Sequence, residues 1–231
     1  MSFDLSKISS QKVKAIPGGE TVEMQSFWKD QNVAIIFFRR WGCMFCRLWA
    51  KELGEIYPIL KKNNIRLVGI GIEEAGSKEF VDGKYFNGDL FYAEDKSIYQ
   101  TLEFKRFNLV SIITSLFWKQ SREAIVKGKS LGLHSDLIGD GLQNGGGLFI
   151  CGGNVERHYV QLAPADRLNN MEIAKLFDLE NEYKADTMAN KKRDGTECSN
   201  KHLRPWKQAV SGTLNPIHHI WAERLCKQSR I

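Results

Sequence analysis

The sequence predicts an α/β protein of three layers, in which a mixed central sheet is flanked by helices. Two runs, at 33–38 and 65–72, are largely apolar, as in strands that are buried on both faces of a sheet. Between them, apolar residues recur every three or four positions from 46 to 60, which is the pattern of an amphipathic helix. Two strands joined by a helix within about 40 residues form a βαβ unit, so we expect these strands to be parallel.

The other predicted elements follow from local signals along the chain. Strands are expected at 12–16, 90–92, 148–151 and 155–161, and helices at 43–62, 77–82, 95–103, 107–131 and 170–179. A short connection at 21–30 is expected to form one or two helical turns. Ser77 and Asp95 are the expected N-caps of their helices, and Pro58 is expected to kink or end the first long helix. This order of elements is thioredoxin-like.

The composition is that of a globular protein with one main domain. With 231 residues, of which 42% are hydrophobic, the chain can bury one good core. No apolar stretch approaches the roughly 20 residues of a membrane helix, and the first residues lack an apolar signal region. Five cysteines, an odd number, do not suggest a secreted disulfide framework. We therefore expect a cytoplasmic protein that is not an integral membrane protein.

The positive charge is concentrated near the C-terminus. The net charge is +6, and residues 180–231 hold ten Lys/Arg against six Asp/Glu. Residues 1–179 are nearly balanced and show no basic stripe, so we expect no nucleic-acid binding. We predict a main domain at 1–179 and a basic, mobile tail at 180–231, with a short docking helix near 217–228.

Cys43 and Cys46 form a Cys-x-x-Cys pair where the strand at 33–38 passes into the following helix. The free N–H groups and the dipole of a helix N-terminus favour a thiolate, which is the reactive form of cysteine. Two cysteines in the first helical turn can also approach disulfide-bonding distance without unfolding the helix. The motif therefore predicts a redox-active pair.

Two other interpretations of this pair are half of a zinc site and two structural cysteines. Zinc needs about four ligands, usually from a second closely spaced Cys or His pair. Cys151, Cys198 and Cys226 are solitary, and the five histidines supply no such partner motif. The βαβ context favours redox chemistry.

Several segments in order resemble the peroxiredoxin-like 2 family. The first is the run FRRWGCMFCR at 38–47, and it is followed by similar segments at 66–71, 79–88, 104–108 and 139–147. The resemblance spans about residues 5–178 and leaves the tail uncovered. In this chain, the glycine-rich loop at 141–147 occupies the place where thioredoxins have a proline before the strand that faces the cysteine pair.

The resemblance implies a thioredoxin-fold enzyme that reduces the endoperoxide of prostaglandin H2, or of prostamide H2, to the F2α product. Electrons would come from NADPH through thioredoxin reductase and thioredoxin, with no cofactor bound to the protein. The sequence fits this electron source, because it contains no dinucleotide-binding G-x-G-x-x-G after the first strand.

In this chemistry one cysteine attacks a peroxide oxygen and the other resolves the product as a disulfide. We expect Cys43 to attack, because it lies at the helix start and faces outward in the thioredoxin arrangement, and Cys46 to resolve. The alternative is attack by Cys46, because the reactive cysteine of peroxiredoxins occupies the equivalent position. Arg40 and Arg47 are the candidates to favour the thiolate or to bind a substrate carboxylate. Arg39 ends the strand and is expected to point to the opposite face.

The roles of the other nearby residues are open. The flanking arginines are equally well explained as solvated surface charge. Trp41 and Phe45 could form an apolar wall for a fatty chain, although at least one is expected to be packing. His134 and His158 are candidate proton donors that are more often structural, and Cys151 is expected to be a core residue.

Two further functions compete with endoperoxide reduction. One is a general antioxidant that reduces hydrogen peroxide or alkyl hydroperoxides. The other is a redox-sensing or partner-binding module in which the cysteine pair is a switch and the tail docks a partner. Turnover of endoperoxide and hydroperoxide substrates distinguishes the three.

Overall fold

A computed structural model describes residues 3–136 and 138–193. The strands are β1 (Lys12–Ile16), β2 (Thr21–Glu23), β3 (Asn32–Phe38), β4 (Ile65–Gly71), β5 (Asp89–Ala93), β6 (Gly146–Cys151) and β7 (Asn154–Val160). The α-helices of the described residues are α1 (Met44–Lys62), α2 (Ser77–Asp82), α3 (Ser97–Thr101), α4 (Leu109–Leu116), α5 (Lys119–Ser130), α6 (Asn170–Leu176) and α7 (Glu180–Arg193).

The strands form one mixed sheet in the order β2-β1-β5-β4-β3-β6-β7. β3 and β4 are parallel, as the βαβ pattern predicts, and β5 continues the parallel part. The other neighbours pair antiparallel. The predicted mixed sheet is therefore confirmed.

β3 contributes to both hydrophobic cores, because its side chains enter a core on each face of the sheet. Ala34, Ile36 and Phe38 belong to the core that contains the buried face of α1. Val33, Ile35 and Phe37 alternate with them and belong to the core on the opposite face. Their complete burial explains why the run at 33–38 has no polar residue. This confirms the predicted three-layer α/β fold.

Several predicted element boundaries are wrong, each for a local reason. Pro58 does not end α1, which continues to Lys62, because the buried Ile59 and Leu60 hold the last turn against the core. Ser77 is not the N-cap of α2: Gly76 takes that place with φ of 86°, a conformation that glycine adopts without steric cost. Asp95 lies one residue before the N-cap of α3, although its side chain accepts a hydrogen bond from the Ser97 N–H at 2.9 Å.

The single helix predicted at 107–131 is two helices. Trp118 is extended, with ψ of 146°, and separates α4 from α5. α5 packs on α1 through Ala124, which shares a small apolar cluster with Leu48. The segment at 21–30 also differs from prediction, since it contains β2 and one 3-10 turn, Met24–Phe27.

The chain divides into two compact units, Met1–Tyr183 and Lys184–Ile231. Residues 180–193 of the predicted tail form α7, and the expected docking helix near 217–228 lies outside the described residues. The domain boundary at residue 179 and the mobility of the tail stay predictions. None of the described helices is both long and apolar enough to cross a bilayer.

The buried hydroxyl of Tyr99 links the ends of the two central strands, because it lies 2.9 Å from both the Phe38 and the Ile70 carbonyl oxygens. We expect Tyr99→Phe to lower the free energy of unfolding by about 1–2 kcal/mol, since it removes a buried donor from two buried acceptors. Urea denaturation measures this change. Tyr57→Phe, at a half-buried tyrosine with no hydroxyl partner among the described residues, is the control and should be nearly neutral. Equal effects of the two substitutions would contradict this account.

Candidate active site

The two cysteines lie at the start of α1, directly after the turn that leaves β3. Cys43 is the N-cap residue, with an extended backbone, and Cys46 lies in the first turn of the helix. Both are free thiols. They are only 4% and 3% exposed, respectively. The expectation that Cys43 faces outward is therefore wrong for this structure.

Residues 135 and 136, far along the chain from Cys43, pack against the start of α1. The Met44 N–H donates to Ser135 Oγ at 3.0 Å, which satisfies a backbone group of the first helical turn. The Asp136 N–H donates to the Gly42 carbonyl oxygen at 3.0 Å. A Cβ at Gly42 would overlap the Asp136 carboxylate, so a larger residue there would force that side chain to move. Residues 135 and 136 are thus held beside the N-terminal end of α1.

The environment shifts the pKa values of the two cysteines in opposite directions. A hydrogen bond from the Cys46 thiol lowers the pKa of Cys43 well below its usual range, and the positive charges of Arg39 and Arg40 act in the same direction. Burial opposes this shift but does not outweigh it. The same hydrogen bond, together with burial, raises the pKa of Cys46 well above its usual range. The pair therefore favours the thiolate at Cys43 and the thiol at Cys46.

Arg39, which the sequence analysis placed on the opposite face, is the arginine that contacts the reactive sulfur. Its Nη1 lies 3.4 Å from Cys43 Sγ. Its Nε and Nη2 donate to the Gln143 and Gly141 carbonyl oxygens at 3.1 and 2.7 Å. The strand ends at Phe38, so the strict alternation of side chains that underlay the expectation no longer applies to Arg39.

The glycine-rich loop is fixed by buried amide side chains, which the sequence analysis did not identify. Gln143 Nε2 donates to the Phe104 carbonyl oxygen at 2.7 Å, and Asn144 Nδ2 donates to the carbonyl oxygen of Gln161. These bonds hold the loop that supplies both carbonyl partners of Arg39. No local sequence pattern identifies these amides, because their hydrogen-bond partners are distant along the chain.

Arg47 contacts neither sulfur. It instead holds residues 134 and 136 near the start of α1. It is 1% exposed. Its Nε donates to the Trp41 carbonyl oxygen at 3.1 Å, its Nη1 to the His134 carbonyl oxygen at 2.9 Å, and its Nη2 to Asp136 at 2.8 Å. A buried guanidinium with all these donors engaged is structural. The role predicted for Arg47, thiolate activation or carboxylate binding, is corrected accordingly.

Arg40 is the flanking arginine whose guanidinium stays available. It is half-buried, and its Nε is enclosed without a hydrogen-bond partner among the described residues. It lies beside the loop glycines: a Cβ built on Gly141 would be 4.0 Å from the Arg40 guanidinium carbon. Its charge lowers the pKa of Cys43 together with that of Arg39. Arg40 therefore meets the requirement for a cation that faces a ligand near the thiolate.

The remaining candidates are placed in structural positions. Trp41 is buried, donates from Nε1 to the Glu73 carbonyl oxygen at 2.6 Å and stacks near Phe80, so it is packing. Phe45 is half-buried against the α1 core. His158 Nε2 lies 3.0 Å from the Leu102 carbonyl oxygen, and burial lowers its pKa.

His134 is exposed, and its carbonyl oxygen accepts from Arg47. Cys151 is half-buried with its sulfur 3.7 Å from the Leu176 carbonyl oxygen, and burial raises its pKa. Cys198 and Cys226 lie outside the described residues.

The lowered pKa of Cys43 can be tested by titration of its thiolate. We expect ultraviolet absorbance, corrected with Cys43→Ser, to show an ionised Cys43 well below the usual pKa of about 8.5. Cys46→Ala should raise this pKa, because it removes the donor to the sulfur, whereas Cys151→Ala should leave it unchanged.

The lowered pKa of Cys43 also determines how the stability of the fold depends on pH. Ionisation of Cys43 stabilises the fold above the unfolded-state pKa, and this contribution is lost as pH falls through the lowered folded-state pKa. Ionisation of Cys43 near pH 8.5 in the wild type would contradict the arrangement of sulfurs described above.

Comparison with known proteins places this site in a family. A family model described as AhpC/TSA antioxidant enzyme matches residues 52–162, a range that begins after the cysteine pair. The prostamide/prostaglandin F synthase of Xenopus tropicalis is 41% identical over 167 residues, which cover 71% of this chain and 83% of that protein. The synthase of Homo sapiens is 36% identical over 180 residues, or 77% of this chain and 91% of that protein.

Among solved structures, a mutant of peroxiredoxin Q from Xanthomonas campestris matches with a TM-score of 0.51 at 10% identity. The match covers 77% of this chain and 94% of that chain, and it supports the thioredoxin-like fold. The sequence identity to the synthases extends over most of their length, and it assigns the chain to a family. The chain belongs to the peroxiredoxin-like 2 family, which includes the prostamide/prostaglandin F synthases.

Proposed function

We propose that this protein is a thiol oxidoreductase that reduces the endoperoxide of prostaglandin H2 or prostamide H2 to the corresponding F2α product. The observation that carries the proposal is the buried Cys43–Cys46 pair, in which the pKa of Cys43 is lowered and the pKa of Cys46 is raised by their mutual hydrogen bond. This pair supplies a nucleophile and an acid in one contact. The relatives named for this activity support the choice of substrate.

In the first step, the Cys43 thiolate attacks one oxygen of the O–O bond. A sulfur–oxygen bond forms, the O–O bond breaks, and the second oxygen departs as an alkoxide. The alkoxide takes the proton of the Cys46 thiol, whose raised pKa keeps that proton available at neutral pH. No histidine is needed as the acid.

In the second step, the Cys46 thiolate attacks the Cys43 sulfur. A disulfide forms, the sulfur–oxygen bond breaks, and the second alkoxide takes a proton from water to complete the diol. The substrate has gained two electrons and the protein has lost two. Exchange with the dithiol of reduced thioredoxin returns both cysteines to the thiol state, with NADPH as the ultimate electron source.

We propose further that Arg40 binds the carboxylate of an acidic substrate. Arg39 and Arg47 are occupied by carbonyl, carboxylate or sulfur partners, whereas the Arg40 Nε lacks a partner among the described residues. A guanidinium binds a carboxylate through two parallel hydrogen bonds. Prostaglandin H2 carries a carboxylate and prostamide H2 an uncharged amide, so Arg40 would discriminate between them.

A second candidate is a peroxidase that reduces hydrogen peroxide or alkyl hydroperoxides. The description of the matching family model as an antioxidant enzyme favours it. The same thiolate would attack the terminal peroxide oxygen, with water or an alcohol leaving. In either case we propose a cytoplasmic protein, because the cysteine pair needs a thioredoxin system to be reduced.

The assay that tests the function is NADPH consumption with thioredoxin and thioredoxin reductase, with endoperoxide and hydrogen peroxide offered separately. We expect turnover of the endoperoxide that is lost in Cys43→Ser and in Cys46→Ser, because each thiol takes part in one cycle. Cys151→Ser is the control and should keep its activity. Turnover of hydrogen peroxide alone would replace the synthase proposal by the peroxidase.

The role of Arg40 is tested with Arg40→Gln on the two lipid substrates. We expect KM for prostaglandin H2 to rise about tenfold or more, since a charge-assisted hydrogen bond is lost, while KM for prostamide H2 changes little. Any change in the Cys43 pKa acts on both substrates alike and cancels in the ratio. Arg157→Gln, at an exposed arginine on β7, is the control. An equal rise in both KM values would contradict carboxylate binding.

A further inference from the structure

The α4–α5 hairpin exposes an unusual amount of apolar surface. α4 carries no charged residue, and its sequence is LVSIITSL. At the junction with α5, Phe117 is 75% exposed and Trp118 is 52% exposed. The other exposed large apolar side chains of this region are Val110, Ile113, Leu116, Val126 and Leu131. Exposed large apolar side chains concentrated in one segment mark an interaction site, because water would otherwise be in contact with them.

The same hairpin is basic. Residues 109–131 contain four Lys/Arg and one acidic residue, Glu123. Lys127 pairs with Glu52 at 2.7 Å, and Lys119 is 3.8 Å from Glu123. Arg122 and Lys129 are exposed and have no ion-pair partner within residues 3–136 and 138–193. Exposed aromatic residues flanked by unpaired cations are typical of segments that lie in a membrane interface.

We propose that the α4–α5 hairpin docks on an anionic phospholipid surface, with Phe117 and Trp118 inserted between the headgroups. Charge disfavours two other occupants. Residues 194–231 contain six Lys/Arg and three Asp/Glu, so this segment has the same sign of charge as the hairpin. A second copy of the hairpin would also bring like charges together. Anionic headgroups neutralise the cations, and the acyl boundary takes the apolar side chains.

The hairpin adjoins the cysteine pair. Gly128 of α5 lies against Met44, since a Cβ at Gly128 would be 3.0 Å from the Met44 sulfur. Beyond α5, Ser135 accepts from the Met44 N–H. An enzyme docked through this hairpin would therefore hold Cys43 near the interface in which a lipid endoperoxide dissolves. This benefit rests on the proposed function, whereas the docking itself does not.

The test is sedimentation of the full chain with vesicles, without substrate. One set contains phosphatidylcholine alone and the other about 30% phosphatidylserine. We expect binding to the anionic vesicles that weakens with added salt. Phe117→Ser with Trp118→Ser should lower the affinity at least about tenfold, and Arg122→Glu with Lys129→Glu by a similar factor. Leu162→Ser and Lys78→Glu, at exposed sites elsewhere, are the controls.

Three results would overturn the proposal. No binding of the wild type to anionic vesicles would mean that something other than lipid covers the hairpin. Binding that survives loss of both aromatic residues would mean plain electrostatic adsorption. A dimer in light scattering that the aromatic double variant dissociates, with vesicle binding unchanged, would assign the surface to a second copy. Because the assay contains no substrate, a failure of the proposed catalytic function leaves these results unaffected.

Discussion

A buried thiolate must be compensated by nearby donors or positive charge, since burial by itself favours the neutral thiol. Cys43 meets this constraint through the Cys46 thiol and the guanidinium of Arg39, whose Nη1 lies 3.4 Å from the sulfur. The backbone around the start of α1 positions Arg39 for this contact. β3 ends one residue before Arg39, and the loop at 139–144 returns to accept its remaining donors.

Long-range hydrogen bonds hold the two buried arginines near the start of α1. Arg39 donates to the Gln143 and Gly141 carbonyl oxygens. Arg47 has a separate set of partners, the Trp41 and His134 carbonyl oxygens and the Asp136 carboxylate. Arg40 lies beside the same loop, and its Nε has no hydrogen-bond partner among the described residues.

The sequence was sufficient for the sheet, for α1 and for the cysteine pair, because these depend on local periodicity and on burial of β3 from both faces. It failed for the break between α4 and α5, since helical periodicity does not show where a helix docks on its neighbour. It also misplaced Arg39. The direction of that side chain depends on Gln143, 104 residues later in the chain, which no local pattern reveals. Arg47 was misjudged for the same reason, because Asp136 is its distant partner.

We propose that Cys43 is the nucleophile and Cys46 the proton donor and resolving thiol. Intact-mass analysis of Cys46→Ser after rapid mixing with the endoperoxide distinguishes these roles. We expect an adduct equal in mass to the protein plus one substrate, mapped to Cys43, because the resolving thiol is absent. Cys43→Ser should give no adduct. An adduct on Cys46 in Cys43→Ser, with none on Cys43 in Cys46→Ser, would contradict it and would exchange the roles of the two sulfurs.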